Sequence, residues 1–253
     1  NCVALVAPNV VRVRSSVDKA ACTVARVRVS IPLFGIEAIA SAPIHYVDRF
    51  ALAVLPFPAF DGSTAKRANG SYAFSKDTLR IIECTRHFQH GTAVALVRLT
   101  NGDEHDVTAA ATFASSSATV VRVDAARPSR LRGEAPGVAA VTARWDTVVS
   151  EAYTLTVTSA VLARMQLLTV SFAGLVGRTL LGGAGRTTPL RLRINFDDGT
   201  QFKNFLTDVD WVPPVELVRF ASSAPAAISV SQAGILTLLD NHASAVAITA
   251  RRE

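Results

Sequence analysis

The stretch Phe113-Ala114-Ser115-Ser116 occurs a second time in this chain, as Phe220-Ala221-Ser222-Ser223. The two copies are 220 − 113 = 107 residues apart, and the same offset relates Val141-Thr142-Ala143-Arg144 to Ile248-Thr249-Ala250-Arg251. Apolar positions between them also correspond: Val123 falls on Val230, and Leu131 on Leu238. A match that keeps its spacing over this distance predicts two copies of one structural module.

Upstream of this segment the offset of the repeat changes. The turn at Leu99–Asp103 resembles Phe196–Thr200, at an offset of 196 − 99 = 97. The second copy therefore carries an insertion of about ten residues, which we place at Lys203–Pro214. Because loops on a rigid scaffold tolerate such growth, we predict that this segment is a loop that serves recognition or assembly. Its candidate contact residues are Lys203, Asp208, Asp210 and Trp211.

Short stretches of alternating apolar and polar residues, bounded by turn formers, dominate the chain. Two of them run into the hairpin signals Asn101-Gly102 and Asp198-Gly199. No stretch combines a helical period with capping residues. We therefore predict an all-β chain of tandem antiparallel β-sandwiches, preceded by another β-rich domain. The facing cores should contain Phe113, Val123, Val141, Phe220, Val230 and Ile248.

The repeat divides the chain into three predicted regions. Residues 1–76, which do not align with the repeat, form an N-terminal β-rich domain or part-domain; residues 77–158 and 159–253 form the two sandwiches. Val157–Val161 would be a short linker between them. In the first copy a further strand at Tyr153–Val157 follows the repeated one, whereas the second copy stops at Glu253. We expect a segment of a larger protein whose second sandwich lacks its last strand.

The order of these signals resembles the bacterial Ig-like domain, group 2. In the first copy the matching segments are Asn101-Gly102, Ala111–Ser116, Val121–Val123, Gly133, Gly137 and Ala139–Ala143. In the second copy they are Asp198-Gly199, Val218–Ser223, Ile228–Val230, Gly234 and Ala245–Ala250. The second copy departs from the pattern by its insertion and by Ser244 where the first has Gly137.

That resemblance implies a sandwich of about seven strands, of the kind used in surface adhesins and as spacers in large ectodomains. The tandem arrangement behind a different β-domain is similar to the ectodomains of the transmembrane protein 132 family, which implies a cell-surface, adhesion-type role. No catalytic residues carry over from either family.

The net charge of +6 comes largely from arginines that alternate with apolar residues, as in Leu190-Arg191-Leu192-Arg193. On a strand this alternation places the guanidinium groups on the solvated face. Aromatic residues are only 7% and do not cluster with the charges, which argues against nucleic-acid binding and leaves acidic glycans as an alternative partner. No apolar run reaches the ~18 residues of a membrane span.

Three cysteines at wide spacing leave the redox state of the chain open: Cys2, Cys22 and Cys84. In an oxidising compartment two of them would pair, as Cys2–Cys22 or Cys22–Cys84, and the third would be left for a partner. Buried, reduced cysteines are the alternative. Asn69-Gly70-Ser71 is the one N-glycosylation sequon, and it favours secretion.

Metal and catalytic patterns are weak. The spacing Cys84-x-x-His87-x-x-His90 offers soft ligands, but residues three apart on a strand point to opposite faces. Four aspartates bracket the insertion and leave calcium at the module junction as an open question: Asp197, Asp198, Asp208 and Asp210. No hydrolase motif or nucleophile–base pair is present. We predict no metal, no cofactor and no enzymatic activity.

The sequence thus favours a non-enzymatic adhesion or spacer segment at the cell surface or outside the cell. It would meet protein partners, or copies of itself, through loops and strand edges. A subunit of an extracellular or ciliary-surface filament is the alternative, and a surface enzyme is the third hypothesis.

Overall fold

The computed structural model describes residues 3–7, 10–13, 22–60, 62–172, 183–242 and 244–253. Strands make up 53% of the structure and helices 6%, so the all-β prediction is confirmed. One α-helix of a single turn is described, α1 (Phe205–Asp208), which the sequence did not predict. Short 3-10 turns lie at Pro32–Phe34, Thr108–Ala110 and Pro214–Glu216.

The strands follow one another closely along the chain. In chain order they are β1 (Val3–Ala7), β2 (Val10–Val13), β3 (Val24–Ile31), β4 (Ile36–Pro43), β5 (Val47–Pro56), β6 (Thr78–Ile82), β7 (His90–Leu99), β8 (Glu104–Asp106), β9 (Thr112–Ser115), β10 (Val121–Val123), β11 (Arg130–Gly133), β12 (Gly137–Trp145), β13 (Val148–Val149), β14 (Tyr153–Ala163), β15 (Met165–Phe172), β16 (Thr187–Phe196), β17 (Gln201–Phe202), β18 (Val218–Ser222), β19 (Ile228–Val230), β20 (Ile235–Leu238) and β21 (Ile248–Arg252).

The chain folds as two compact units, one of residues 1–50 with 96–106 and one of residues 51–95 with 107–253. The sequence placed all of residues 1–76 in an N-terminal domain. In the structure residues 51–76 instead fall in the second unit, and residues 51–56 of β5 join a sheet of the first sandwich beside β7. The first unit contains the β1–β2 hairpin, the β3–β4 ribbon, and the end of β7 with its partner β8.

The β3–β4 ribbon of the first unit has one apolar face. Antiparallel pairing sets Val27 opposite Ala40, Val29 opposite Ala38, and Ile31 opposite Ile36. Directly opposed residues share a face of the sheet, so these pairs form an uninterrupted apolar row. The alternate pairs on the other face include Arg26–Ser41 and Ser30–Glu37. The apolar row is largely open to solvent, and Leu33 at the tip is 87% exposed.

The first sandwich module consists of two sheets that pack face to face. One has the strand order β10–β11–β7–β5, and the other has β13–β12–β14–β6 with β9 beside β12. Leu79 of β6 reaches across to the first sheet. A Cβ added at Gly91 or Gly133 would make ordinary contact with the methyl carbons of Leu79, at 3.7 or 3.5 Å, but would lie only 2.6 Å from Val54 Cγ1 or 2.8 Å from Phe88 Cβ. The fully buried core side chains include Leu55, Leu79, Leu131, Val141 and Leu155.

The second sandwich module is built from the sheet β15–β16–β20–β19, with β17 beside β16, and from the pair β18–β21. Strand β16 confirms the predicted alternation, because Leu190, Leu192 and Ile194 are buried while Arg191 and Arg193 are exposed. Its core also holds three aromatic rings in edge-to-face contact: Phe196, Phe202 and Phe205.

The predicted repeat appears in the structure as a repeated pairing register. Phe113 of β9 lies opposite Ala143 of β12, and Phe220 of β18 lies opposite Ala250 of β21, both at the offset of 107 residues. The serine after each strand repeats its hydrogen bonds as well. Ser116 Oγ accepts from Ala140 N at 2.9 Å, and Ser223 Oγ accepts from Ala247 N at 2.9 Å.

The turns at the offset of 97 are also equivalent. The backbone N–H of Leu99 donates to Asp103 at 2.8 Å, and that of Phe196 donates to Thr200 at 2.8 Å. Gly102 and Gly199 adopt φ values of 90° and 81°, which a side chain rarely permits. The Asn-Gly and Asp-Gly hairpin predictions are therefore confirmed.

One sequence correspondence is wrong by two residues. Val123 pairs with Leu131, whereas Val230 pairs with Leu236 and not with Leu238. The β19–β20 hairpin is thus two residues shorter than β10–β11, and the residues after β20 restore the offset of 107. Of the predicted core residues, Val141 and Phe220 are buried and Phe113 and Val123 are half-buried; Val230 and Ile248 are half-buried against the second core.

The segment predicted as a linker is part of one long strand. Residues 156–158 of β14 pair in parallel with residues 78–80 of β6 in the first module, and Leu162 and Ala163 continue the pairing with Ile81 and Ile82. Ile82 and Ala163 belong to the buried core of the second module. Two hydrogen-bonded strands therefore pass from one sandwich into the other.

Candidate functional site

Charged and aromatic side chains converge at the junction between the two sandwich modules. The insertion of the second module forms one side of it. Its apolar residues Phe205, Val209 and Val212 are buried in the second core, which fixes the segment against its own module. Asp210 and Trp211, between these anchors, contact the first module.

Arg130 of the first module is the centre of the junction. It is buried, and its guanidinium donates to both carboxylate oxygens of Asp210, at 2.9 and 2.6 Å. This two-pronged geometry is the strongest that an arginine can form with a carboxylate. Arg130 Nε donates to His90 Nδ1 at 3.0 Å, and Asp124 lies 3.4 Å away.

Trp211 is enclosed by groups of the first module. Its ring stacks on His90 with 3.9 Å between centroids and an 18° interplanar angle, and its Nε1–H donates to Phe88 O at 3.2 Å. The guanidinium carbon of Arg130 lies 4.7 Å from the Trp211 ring centroid and 4.7 Å from that of Phe57. The guanidinium is thus within cation–π distance of two neighbouring rings whose centroids are 5.7 Å apart, an arrangement that favours a cation.

A second set of polar contacts lies around Lys76. This buried ammonium forms an ion pair with Asp198 of the second module and donates to Gln89 at 3.1 Å. Gln89 in turn donates to Thr200 at 3.3 Å, and Thr200 N donates to Asp198 at 3.0 Å. The buried polar groups therefore satisfy one another, which is the condition for burying charge at low cost.

Two further ion pairs cross the junction near the strands that connect the modules. Arg80 donates to Asp197 at 2.7 Å, and Asp197 also accepts from the backbone N–H of Arg164 at 3.2 Å. Glu83, which is buried, accepts from Met165 N and from Arg252 of β21. The first module supplies most of the cations and the second supplies most of the carboxylates.

These environments shift several pKa values. Burial lowers the pKa of His90 to about 2, and the charges of Arg130 and Arg132 add to this effect, so the ring is neutral. Burial alone would raise the pKa of Asp198, but the Lys76 ammonium holds it well below its usual range. Burial lowers the pKa of Lys76, and Asp198 opposes that shift. The bidentate bond from Arg130 lowers the pKa of Asp210.

A cavity of about 340 Å³ opens beside this cluster. The first module contributes residues 86–88, 90, 130 and 132–134 to its wall, and the second contributes Asp210 and Trp211. Two atoms in the wall, Arg132 Nε and Glu134 Oε1, are buried without a hydrogen-bond partner among the described residues. They lie 3.5 Å apart.

The aspartates that raised the question of calcium have protein partners. Asp197, Asp198 and Asp210 pair with cations of the first module, and Asp208 accepts from Asn204 N at 2.9 Å. The side chains of the Cys84-x-x-His87-x-x-His90 pattern do not converge on one point either. His90 stacks on Trp211, while His87 lies 3.4 Å from Glu216. Within the described ranges, no three His, Cys, Asp or Glu side chains are grouped as a metal would require.

The remaining predicted residues lie away from the junction or at its margin. Cys22 is buried and disulfide-bonded, whereas Cys84 is an exposed free thiol whose Sγ lies 3.7 Å from Glu253 O. Cys2 lies outside the described residues. Asn69 is exposed in a turn, where its Oδ1 accepts from Ser71. Lys203 is exposed at the start of the insertion.

No helix among the described residues is long and apolar enough to cross a membrane.

Sequence reasoning singled out Asp198, Asp210 and Trp211 but missed their partners Lys76 and Arg130. The one available signal was that Lys76 and Arg130 are basic residues flanked by short polar turns, a pattern shared by exposed residues. Nothing in the local sequence connects Lys76 to a carboxylate 122 residues away.

Comparisons with known proteins give distant likenesses only. A scan against protein-family models gives no match, and neither does a search of curated proteins. Among solved structures the chain is similar to surface layer protein SbsC domains 1–6, with a TM-score of 0.31 and 15% identity over 86% of this chain. The S-layer protein rSbsC(31–844) gives a TM-score of 0.31 and 13% identity over 91% of this chain.

A structure of domains 4 and 5 of the S-layer protein SbsC gives a TM-score of 0.28 and 15% identity, covering 81% of this chain and 94% of that one. This chain spans only 28% and 30% of the first two structures.

Proposed function

We propose that this chain is a non-enzymatic structural segment outside the cell, with an adhesion or spacer role. Its two β-sandwich modules are held in one fixed orientation. The observation that carries the proposal is the junction. Two hydrogen-bonded strands continue through it, and ion pairs from Lys76, Arg80, Glu83 and Arg130 cross it. Relative motion is the usual expectation for a polar interface between domains, and the two strands that continue through the junction oppose such motion here.

The polar character of the junction supports a role in fixing geometry. A buried ion pair adds little stability compared with an apolar contact of the same size, but it tolerates only one arrangement of its partners. Arg130 is restricted further, because two aromatic rings and a bidentate carboxylate fix the plane of its guanidinium. Any rotation of one module would separate these groups and leave buried charges unpaired.

Two features support a location outside the cell. Cys22 is disulfide-bonded, and disulfides persist in oxidising compartments. Asn69 is exposed, so the sequon is accessible to glycosylation. The repeated register of β9–β12 and β18–β21 supports assignment of both modules to the group 2 Ig-like domains, with an adhesion or spacer role.

The test is whether the two modules tumble as one body. Residual dipolar couplings of the wild-type chain should fit a single alignment tensor for both modules. Replacing the two junction carboxylates, Asp198→Asn with Asp210→Asn, should give separate tensors, because Lys76 and Arg130 lose their anchors. Asp146→Asn is the matched control, since Asp146 lies in an exposed turn with φ of 52°, which asparagine accepts. Two tensors in the wild type would refute the proposal.

Self-assembly is a second candidate, and the β3–β4 ribbon favours it. A two-stranded ribbon is marginally stable in water unless one face is covered. The face formed by Val27, Val29, Ile31 and their partners carries no charge, so two copies could stack without opposing charges. Val29 and Ile36 are each 57% exposed, which is unusual for a row of apolar side chains. The occupant we propose is the same face of a second copy.

Sedimentation over a range of protein concentrations tests this candidate. Val29→Lys with Ala38→Lys, an opposed pair on the apolar face, should abolish concentration-dependent association. Ser30→Lys with Ser41→Lys adds the same charge to the polar face and should leave association unchanged. A wild-type chain that remains monomeric, or association that both variants reduce equally, would count against assembly through this face.

A further inference from the structure

We propose that the cavity at the module junction binds a small hydroxylated anion, namely a single sugar ring that carries a carboxylate. The site rests on the junction proposed above, because both modules line the cavity, but it is tested by a separate measurement. The cavity has about 340 Å³, which lies in the range of small-ligand sites and suits one such ring.

The charge of the wall favours an anion. Of its three arginines, Arg130 is neutralised by Asp210 and Asp124. Glu134 Oε1 is shared between two other arginines, at 3.2 Å from Arg122 Nε and 3.5 Å from Arg132 Nε. Three arginines of the wall, Arg86, Arg130 and Arg132, stand against the two carboxylates of Glu134 and Asp210, which leaves one positive charge; Arg122 and Asp124 lie outside the wall and balance each other. Arg86 is exposed at the rim and has no ion pair with the described residues.

The two unsatisfied atoms of the wall define what the ligand must offer. Arg132 Nε is a buried donor that lacks an acceptor in hydrogen-bond geometry, and Glu134 Oε1 is a buried acceptor that lacks such a donor, both among the described residues. Buried polar groups in folded proteins nearly always have partners, so each of these atoms calls for one. A carboxylate would accept from Arg132, and a neighbouring hydroxyl would donate to Glu134. Inorganic sulfate offers only acceptors, and a neutral sugar offers no charge.

The remaining wall suits a sugar ring as well. The apolar part of the wall is small, because Phe88 is buried and Trp211 is half-buried against His90, while His87, 36% exposed, can hydrogen-bond to further hydroxyls. Trp211 and Asp210 come from the second module and the other residues come from the first. A bound ring would therefore touch both modules at once.

Fluorescence of Trp211 offers a direct readout. The chain contains two tryptophans, and Trp145→Phe leaves Trp211 as the only one. In this background, sodium glucuronate at constant ionic strength should give a saturable change in emission. Glucose and sodium sulfate should bind at least about tenfold more weakly, because each lacks one of the two required groups.

Variants of the cavity make the test specific. Arg132→Ala and the more conservative Arg132→Lys, which keeps the charge but lacks Nε, should each weaken glucuronate binding about tenfold. Arg191→Ala removes an exposed arginine of β16 and should change affinity less than twofold. Absence of saturable binding, equal binding of sulfate, or equal affinity in all three variants would overturn the proposal. Such a result would leave the alignment-tensor test of the fixed junction unaffected.

Discussion

The two sandwich modules are alike where strands pair and different where they meet. The pairs β9–β12 and β18–β21 keep one register at an offset of 107 residues, down to the serine hydrogen bonds. At the junction the equivalence disappears: His90 is buried against Trp211, whereas the position 97 residues later is the exposed Thr187. The comparison teaches that the repeated residues specify the sandwich, while unrepeated ones specify how two sandwiches are joined.

The prediction with the largest expected effect compares two equivalent positions of the repeat. It asks whether they contribute equally to the free energy of unfolding. Phe220→Ala should lower the free energy of unfolding by about 4 kcal/mol, because it leaves a cavity in a buried site. Phe113→Ala should cost about 2 kcal/mol, since Phe113 is half-buried. Urea denaturation followed by circular dichroism measures both. Equal losses would mean that the two cores are more alike than burial indicates.

The next prediction concerns the unrepeated junction. Lys76→Met should destabilise the chain by about 3 kcal/mol, because Asp198 must then either stay charged in a buried site without its closest partner or take up a proton. Adding Asp198→Leu should recover much of this loss, since the pair of apolar residues needs no counter-charge. The same urea titration serves as the measurement. If the double variant were no more stable than the single one, the pair would not act as a unit.

Acidification should weaken the junction through His90. Its folded pKa of about 2 lies below the ordinary 6.5, so below pH 6.5 the unfolded chain takes up a proton that the folded chain excludes. Stability is therefore complete above pH 6.5 and falls as the pH is lowered towards 2, by about 2 kcal/mol between pH 7.5 and 5. Denaturation at several pH values measures this slope. His90→Gln, which cannot titrate, should remove most of it; an unchanged slope would assign the effect elsewhere.

The smallest expected loss of stability concerns the repeated serines, and it should be the same in both modules. Ser116→Ala and Ser223→Ala each remove an oxygen that accepts from one backbone N–H at 2.9 Å. Each should cost about 0.5–1 kcal/mol, because the bonds are partly exposed and water can replace them. The two losses should agree with each other. A clear difference would break the structural equivalence of the modules.

The sequence predicted the sandwiches well because their signals are local. Alternation marked β16, the Asn-Gly and Asp-Gly pairs marked two hairpins, and Phe113 and Phe220 marked equivalent strands. The assignment of Leu131 to Leu238 was wrong because a hairpin can lose two residues without changing its hydrophobic pattern. Either leucine at positions 236 and 238 fits the alternation.

The contacts at the junction could not be predicted from local sequence signals. Lys76 and Arg130 meet their carboxylates through contacts 122 and 80 residues apart, and such contacts depend on how whole modules are placed. The insertion was predicted as a loop because the repeat offset changes across it and loops on a rigid scaffold tolerate such growth. Its apolar residues Phe205, Val209 and Val212 are spaced so as to anchor it in the core, which turns Asp210 and Trp211 towards the other module.

The parallel pairing of β6 with β14 also constrains the order in which this chain can fold. Thr78 and Thr156 are 156 − 78 = 78 residues apart, and every strand from β7 to β13 lies between them. Contacts of such long sequence separation form slowly, because a large loop must be closed first. During synthesis the backbone N–H and C=O groups of β6 that pair with β14 therefore stay without that partner until β14 emerges from the ribosome. A chaperone that binds unpaired strands should meet this protein at that stage.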